Sequence, residues 1–151
     1  RDRAHVASHQ GIVAAENALG HEARMRYNAV PSCIFSRPEA ASVGLTEEQA
    51  REQGYDVRIG RFPFNGNGKA VAQGEIEGFV KVVAEARYGA VLGLHIVGPH
   101  ASDLILEGTL GLTLETTLVE IAETIHPHPT LGEAIAEAGL AALGRALHLP
   151  K

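Results

Sequence analysis

Two β-rich runs joined by a short connection constrain the fold of this chain more than any other feature. Residues 79–85 and 90–97 are rich in β-branched and other apolar side chains, and the segment 86–89 between them ends in glycine. Runs of this kind with so short a connection are typical of an antiparallel hairpin. We therefore expect an antiparallel sheet in which this hairpin is a principal component.

Helical patterns lie on both sides of the hairpin. Thr46 and Gln49 have the spacing of a capping box, which predicts a helix from Thr46 to about Gln53. The stretch 101–114 is apolar nearly all round, which indicates a helix buried on more than one face. Further helices are predicted at 4–19, 118–123 and about 131–142, and further strands at 33–35 and 55–62. This order predicts an α+β fold, an antiparallel β-sheet with helices packed against it.

Composition limits the classes of partner. The chain has 151 residues, enough for one domain and a small additional piece. Its 18 acidic and 13 basic side chains give a formal net charge of -5, which disfavours nucleic acid or an anionic membrane as a partner. No apolar run approaches the roughly 18–20 residues of a membrane-spanning helix. Because Cys33 is the single cysteine, we expect no disulfide within this chain and a cytoplasmic, reducing location.

Three other features have plain structural interpretations. The segment 65–69 is rich in Gly and Asn, but a phosphate-binding loop needs Ser or Thr where Ala70 stands, so we interpret it as a turn. Cys33 is expected to be a buried structural residue of a strand. His5 and His9 have the spacing of metal ligands on a helix. No third ligand is evident, and we predict no metal site.

The segment His126-Pro127-His128-Pro129 carries the strongest chemical signal. The two prolines fix the backbone on either side of His128, so its imidazole has a defined direction. Glu133 follows five residues later, at the start of the last predicted helix. If the loop folds back, the Glu133 carboxylate can accept a hydrogen bond from one ring nitrogen, fix the tautomer and leave the other nitrogen as a base.

Two alternatives remain open from the spacing alone. Thr130 and Glu133 also have the form of a capping box, in which Glu133 would bind the backbone amide of Thr130 and His128 would be a rigid loop residue. His126 and His128 could instead face one side of an extended segment and bind metal adventitiously.

The same segment resembles a family signature. His126-Pro127-His128-Pro129-Thr130-Leu131-Gly132-Glu133 is similar to the His-x-His-Pro-Thr-Leu-x-Glu motif of the dihydrolipoamide dehydrogenases, members of the FAD-dependent pyridine nucleotide–disulfide oxidoreductase family. Further similarity lies at 4–20, 31–39, 92–99 and 140–148. By this resemblance residues 26–151 are a C-terminal interface (dimerisation) domain, and residues 1–25 are the helix and tail of the preceding FAD domain.

The resemblance implies roles for named residues. His128 would be the catalytic base and Glu133 its partner, acting across a homodimer on dihydrolipoamide carried by the lipoyl domain of a 2-oxoacid dehydrogenase complex. The full-length enzyme would oxidise this dithiol with NAD+ through FAD and a redox disulfide. Ala4 and His5 would lie near the FAD, although Asp2-Arg3 stands where the family has apolar residues. The family also implies a cis peptide bond between His128 and Pro129.

The family's redox disulfide and its Gly-rich nucleotide-binding fingerprints have no counterpart in this sequence. We therefore expect the chain alone to be inactive and to bind neither FAD nor NAD. The alternatives are a domain of a related disulfide reductase, of the glutathione or mercuric reductase type, and a dimerisation module without catalytic function.

Self-association is also predicted from the helical patterns. On the 101–114 helix, Leu106 and Leu110 lie on one face, and Ile105 and Leu112 lie on another. One domain covers one such face with its own sheet, so a second apolar face indicates an interface. The last helix carries a stripe of small residues that would let another backbone approach closely: Ala138, Gly139 and Ala142. A self-complementary patch closes as a two-fold dimer.

Overall fold

A computed structural model describes residues 4–149 of the chain. Asp2 and Arg3, which bear on the predicted flavin contact, lie outside the described residues. The described part is a five-stranded antiparallel sheet with helices packed against it, so the predicted α+β fold is confirmed. Within residues 4–149, no helix is both long enough and apolar enough to cross a membrane.

The elements follow one another along the chain with short connections. The helices are α1 (Ala4–Ala18), α2 (Glu47–Glu52), α3 (Gly68–Gln73), α4 (Ala101–Leu114), α5 (Leu118–Glu123) and α6 (Glu133–Ala142). The strands are β1 (Ser32–Ile34), β2 (Glu39–Gly44), β3 (Val57–Pro63), β4 (Phe79–Glu85) and β5 (Val91–Gly98). Short 3-10 turns lie at Tyr27–Ala29 and Phe64–Gly66.

The strand order is β1-β2-β5-β4-β3, with every neighbouring pair antiparallel. The predicted hairpin is the β4–β5 pair, in which Val82 lies opposite Leu94. Strand β2 was not predicted, because its sequence Glu-Ala-Ala-Ser-Val-Gly holds few of the branched side chains that favour strands. It forms because it pairs with β1 on one side and with β5 on the other.

Helices α4 and α6 cover one face of the sheet and enclose the core with it. The alternation of β5 sends Leu94 and Ile96 into this core, where they meet Ile105 of α4 and Ile135 of α6 in one buried cluster. Burying an aliphatic side chain of this size stabilises a fold by about 1.5–3 kcal/mol. The largest fully buried side chains are Phe62, Phe64, Leu94, Ile96, Leu118 and Ile135.

Helix α4 has the two apolar faces that its sequence predicts. Ile105 and Leu112 are buried against the chain's own sheet. Leu106, Leu110 and Leu114 are 67%, 56% and 66% exposed. We call these three residues the α4 leucine stripe.

The small residues of α6 serve a different purpose from the one predicted. Ala138 and Ala142 are buried within the chain, where α6 crosses Gly60 of β3. A Cβ atom on Gly60 would lie 1.8 Å from the Ala138 carbonyl oxygen, so the two backbones are in direct contact. Gly139 faces α5, where an added Cβ atom would lie 2.9 Å from a side-chain carbon of Ile121. The expectation that this stripe admits a second subunit is wrong, because the chain's own sheet and α5 already occupy it.

The turn predicted at 65–69 is also only partly correct. A 3-10 turn ends at Gly66, and helix α3 begins at Gly68. The Asn67 side chain caps this helix by accepting a hydrogen bond from the backbone N–H of Ala70, 2.9 Å away.

Candidate active site

The loop between α5 and α6 carries the predicted acid–base residues. Helix α5 ends at Glu123, and the extended backbone of the next residue, Thr124, turns the chain away from the helix axis. The expected cis bond between His128 and Pro129 is present. A second cis bond, between Arg37 and Pro38, was not predicted. His128 therefore lies at the middle of a short loop that α5 and α6 hold at its two ends.

The structure brings His128 and Glu133 together. The Nδ1 atom of His128 lies 2.8 Å from Oε1 of Glu133, and the backbone N–H of Thr130 donates to Oε2 of the same carboxylate at 2.9 Å. The dyad and the Glu133 half of the capping box thus coexist, since a carboxylate has two oxygens. The other half is absent: the Thr130 hydroxyl donates to the Pro127 carbonyl oxygen instead.

The two members of the dyad differ in exposure. The His128 side chain is 77% exposed, and that of Glu133 is 28% exposed. When Nδ1–H donates to the carboxylate, Nε2 carries the free lone pair on an accessible ring. Burial of Glu133 works to raise its pKa, but the Thr130 amide, the His128 hydrogen bond and the charges of His128 and His148 hold the pKa below its ordinary value. A charged Glu133 keeps His128 in the tautomer that a base requires.

Asn67 is a site residue that sequence reasoning missed. It is only 3% exposed. Its side-chain amide donates to the Thr130 carbonyl oxygen at 3.0 Å, while its oxygen caps α3. The capping role could have been found from an Asn placed before a helical pattern. The contact with Thr130 could not, because the two residues are far apart in sequence.

The alternative of adventitious metal binding requires His126 and His128 to lie on the same surface. They do not. The Nε2 atom of His126 lies 3.0 and 3.2 Å from the two carboxylate oxygens of Glu107 on α4, and its Nδ1 lies 2.8 Å from the Thr124 carbonyl oxygen. Its side chain is 8% exposed, whereas His128 faces outwards. In the described range 4–149, no three or more His, Cys, Asp or Glu side chains are grouped so that they could hold a metal ion.

A second histidine–carboxylate pair lies one helical turn further along α6. The buried carboxylate of Glu137 accepts hydrogen bonds from the backbone N–H groups of Leu147 and His148, at 3.0 and 3.1 Å. The His148 Nδ1 atom lies 2.8 Å from the other Glu137 oxygen. Glu137 thereby ties the C-terminal segment to α6, next to the dyad.

The residues predicted near FAD lie on α1. Ala4 is exposed, and the His5 Nε2 atom is 3.0 Å from the Pro31 carbonyl oxygen. No hydrogen bond or ion pair of the described residues joins either of them to His128 or Glu133. The predicted contact of Ala4 and His5 with FAD stays a prediction. Cys33 packs against the core but is only half-buried, less than its interpretation as a buried residue predicts.

Comparison with known proteins places most of the chain in one family. Residues 30–139 match the family described as pyridine nucleotide-disulphide oxidoreductase, dimerisation domain. This segment holds the whole sheet, the His128 loop and the first turns of α6.

Curated relatives and solved structures agree with this match. The chain is 56% identical over 147 residues to a dihydrolipoyl dehydrogenase of Zymomonas mobilis, covering 96% of this chain and 32% of that protein. It is 53% identical over 146 residues to a dihydrolipoyl dehydrogenase of Bacillus subtilis, covering 96% and 31%. The crystal structure of LpdA from Mycobacterium tuberculosis matches with a TM-score of 0.84 at 33% identity, covering 91% of this chain and 30% of that one. The chain thus spans about a third of the length of the relatives it matches.

Proposed function

Because the chain belongs to the family of pyridine nucleotide-disulphide oxidoreductase dimerisation domains, we propose that it is the dimerisation domain of a dihydrolipoyl dehydrogenase and supplies the acid–base pair of that enzyme. The observation that carries this proposal is the 2.8 Å contact between His128 Nδ1 and Glu133 Oε1 on an exposed, proline-flanked loop. The dihydrolipoyl dehydrogenases at 56% and 53% identity support the same assignment.

The proposed role of His128 is to remove a proton from a thiol of dihydrolipoamide. Glu133 accepts the Nδ1–H hydrogen bond, so Nε2 has the lone pair and receives the thiol proton. The resulting thiolate is the nucleophile, and it attacks one sulfur of a redox disulfide that the rest of the full-length protein supplies. The other disulfide sulfur leaves as a thiolate. The carboxylate of Glu133 stabilises the imidazolium formed on His128.

The proposal includes a two-fold homodimer in which His128 serves the partner subunit. The α4 leucine stripe leaves three large apolar side chains exposed on one helix, and exposed patches of this kind mark interfaces. The exposed ring of His128 is accessible to a substrate held by another subunit. A two-fold interface brings the same surface of each subunit together, so each subunit can supply its base to the other.

The rest of the full-length protein is proposed to bind FAD and NAD and to meet the lipoyl domain that carries the substrate. Ala4 and His5 of this chain are proposed to lie near that FAD. We expect the isolated chain to bind neither cofactor and to lack dehydrogenase activity, and we place the full-length enzyme in the cytoplasm.

The experiment that tests this function is His128→Gln in the full-length protein. Glutamine keeps a polar side chain but has no basic nitrogen, so oxidation of dihydrolipoamide by NAD+ should fall by the ~10²–10⁴-fold typical of a lost acid–base group. Bound FAD and the reduction of ferricyanide by NADH should be preserved, because neither uses a thiol base. Dihydrolipoamide turnover within a few-fold of wild type would show that His128 is only a rigid loop residue.

A further inference from the structure

His126 is a half-buried histidine whose two ring nitrogens both face acceptors. Nδ1 lies 2.8 Å from the Thr124 carbonyl oxygen, and Nε2 lies 3.0 Å from a carboxylate oxygen of Glu107. A carbonyl and a carboxylate can only accept hydrogen bonds, so both ring nitrogens must donate. An imidazole with two N–H groups is the imidazolium, so these contacts favour a positive charge on His126, within the loop that carries His128.

The electrostatic surroundings support this charge. Hydrogen bonding to Glu107 raises the pKa of His126, the charges of Glu107 and Glu133 add to that effect, and burial only partly opposes it. Glu107 on α4 contacts the imidazole directly, and Glu133 on α6 acts on it through its charge. Two negative charges on different helices thus favour the positive charge of His126.

The contacts of His126 help to fix the loop backbone that carries His128. His126 lies two residues before His128 and ties the loop to α4, while Asn67 holds the Thr130 carbonyl two residues after His128. His128 itself contacts the domain through Glu133. The direction of the exposed His128 ring depends on the loop backbone. That backbone is fixed by the His126–Glu107 contact before His128 and by the Asn67–Thr130 contact after it.

The contact between His126 and Glu107 also connects the His128 loop to the helix of the proposed subunit interface. Glu107 is adjacent in sequence to Leu106, a member of the α4 leucine stripe. The helix that presents the apolar surface to a second subunit thus also holds the loop that carries the base. A shift of α4 at the interface would therefore be passed to the His128 loop through the contact between His126 and Glu107.

We propose that His126 and Glu107 are positioning residues for the reaction, which fix the His128 loop to α4 so that the base meets the substrate of the partner subunit in one geometry. The inference rests on the function proposed above. A misplacement of a reacting group by about 1 Å can cost on the order of 10²-fold in rate. Loss of the His126–Glu107 pair should therefore slow the proton-transfer step without removing the base.

The test compares His126→Gln and Glu107→Gln in the full-length protein. Either change should lower kcat for dihydrolipoamide about 10–100-fold while KM stays within about twofold, because placement of the base changes and the substrate-binding surface does not. Reduction of ferricyanide by NADH should be unchanged. The double variant should be no slower than the slower single variant, because each change breaks the same pair.

The matched control is His100→Asn. His100 also faces a carboxylate on α4, with Nδ1 3.5 Å from Asp103, but both side chains are largely exposed and lie outside the His128 loop. Asn tolerates the left-handed backbone of this position, where φ is 54°. This variant should keep wild-type kcat for dihydrolipoamide.

The outcomes separate the two proposals. If His128→Gln lowers turnover but His126→Gln and Glu107→Gln leave kcat within about threefold, the positioning role is overturned and the proposed function stands. If His128→Gln has no effect, the proposed function itself fails. Should both His126 and Glu107 variants lose the ferricyanide activity, or the dimer by light scattering, in parallel with dihydrolipoamide turnover, the pair is a folding element and the positioning role is wrong.

Discussion

Single side chains at this site perform two tasks at once. Glu133 orients His128 with one carboxylate oxygen and accepts the backbone N–H of Thr130 with the other, at 2.8 and 2.9 Å. Asn67 caps α3 with its oxygen and holds the Thr130 carbonyl with its amide. Such double use rigidifies the loop, since a side chain with two partners has little rotational freedom. It also means that structural and catalytic effects of these residues must be separated by assays that respond to only one of them.

The charge of His126 predicts a specific pH dependence of stability. Its pKa is raised in the folded protein from an ordinary value of 6.5, chiefly by the hydrogen bond to Glu107. The folded state therefore binds this proton more tightly than the unfolded state does. The stabilisation is fully present below the ordinary pKa and is lost as pH rises through the raised value.

We therefore expect the denaturation midpoint of the wild-type protein to exceed that of His126→Gln most clearly near pH 6. The difference should be smaller at pH 9, because this stabilisation is lost as pH rises through the raised pKa of His126. Denaturant unfolding of the two proteins at both pH values measures this difference. A difference that widens with pH would contradict the assignment of an imidazolium.

At the scale of elements, the site depends on how closely α6 approaches β3. Gly60 of β3 makes this approach possible: a Cβ there would lie 1.8 Å from the Ala138 carbonyl oxygen and 2.6 Å from the Ala142 backbone nitrogen. Backbone atoms cannot rotate away as a side chain can, so any larger residue must displace the helix. Helix α6 begins with Glu133, and its placement therefore sets the placement of the dyad.

Gly60→Ala should accordingly destabilise the protein by at least the ~1–3 kcal/mol typical of overpacking and should lower dihydrolipoamide turnover as α6 shifts. Gly68→Ala is the matched control, because a Cβ on Gly68 meets nothing within 4 Å and its φ is not positive. Thermal unfolding of both variants provides the comparison. Equal midpoints would show that β3 and α6 can separate at little cost.

Sequence patterns predicted those elements that are specified by residues close to one another in the chain. The β4–β5 hairpin, the capping box of α2 and the helix α5 were each specified by neighbouring residues. Helix α3 was missed although its Asn67 cap is local, because the Gly- and Asn-rich segment 65–69 was interpreted as a turn. Strand β2 was missed because its partners are distant: it is fixed by β1 and β5. The same limit applied to the site, where His128 and Glu133 are five residues apart but Glu107 is remote in sequence from His126.

At the scale of the whole molecule, the exposed apolar surface on α4 predicts a dimer. Replacing Leu106 and Leu110 together with Lys should separate the subunits of the full-length protein and abolish dihydrolipoamide turnover, because charged side chains cannot be buried in an apolar interface without a large desolvation cost. Val71→Lys is the control, since Val71 of α3 is 56% exposed, as is Leu110. Light scattering at micromolar concentration measures the mass, and an unchanged dimer in the double variant would place the interface elsewhere.

We propose that His128 of one subunit serves the redox disulfide of the other, and this can be tested by mixing subunits of two variants. One full-length variant carries His128→Gln, a second carries Ser in place of a cysteine of the redox disulfide, and each alone should be nearly inactive. After subunits are exchanged in equal amounts, dihydrolipoamide turnover should recover to about a quarter of the wild-type rate, because about half of the dimers are mixed and each of these has one intact site. Failure to recover any activity, with mixed dimers shown to be present, would mean that His128 acts within its own subunit or not at all.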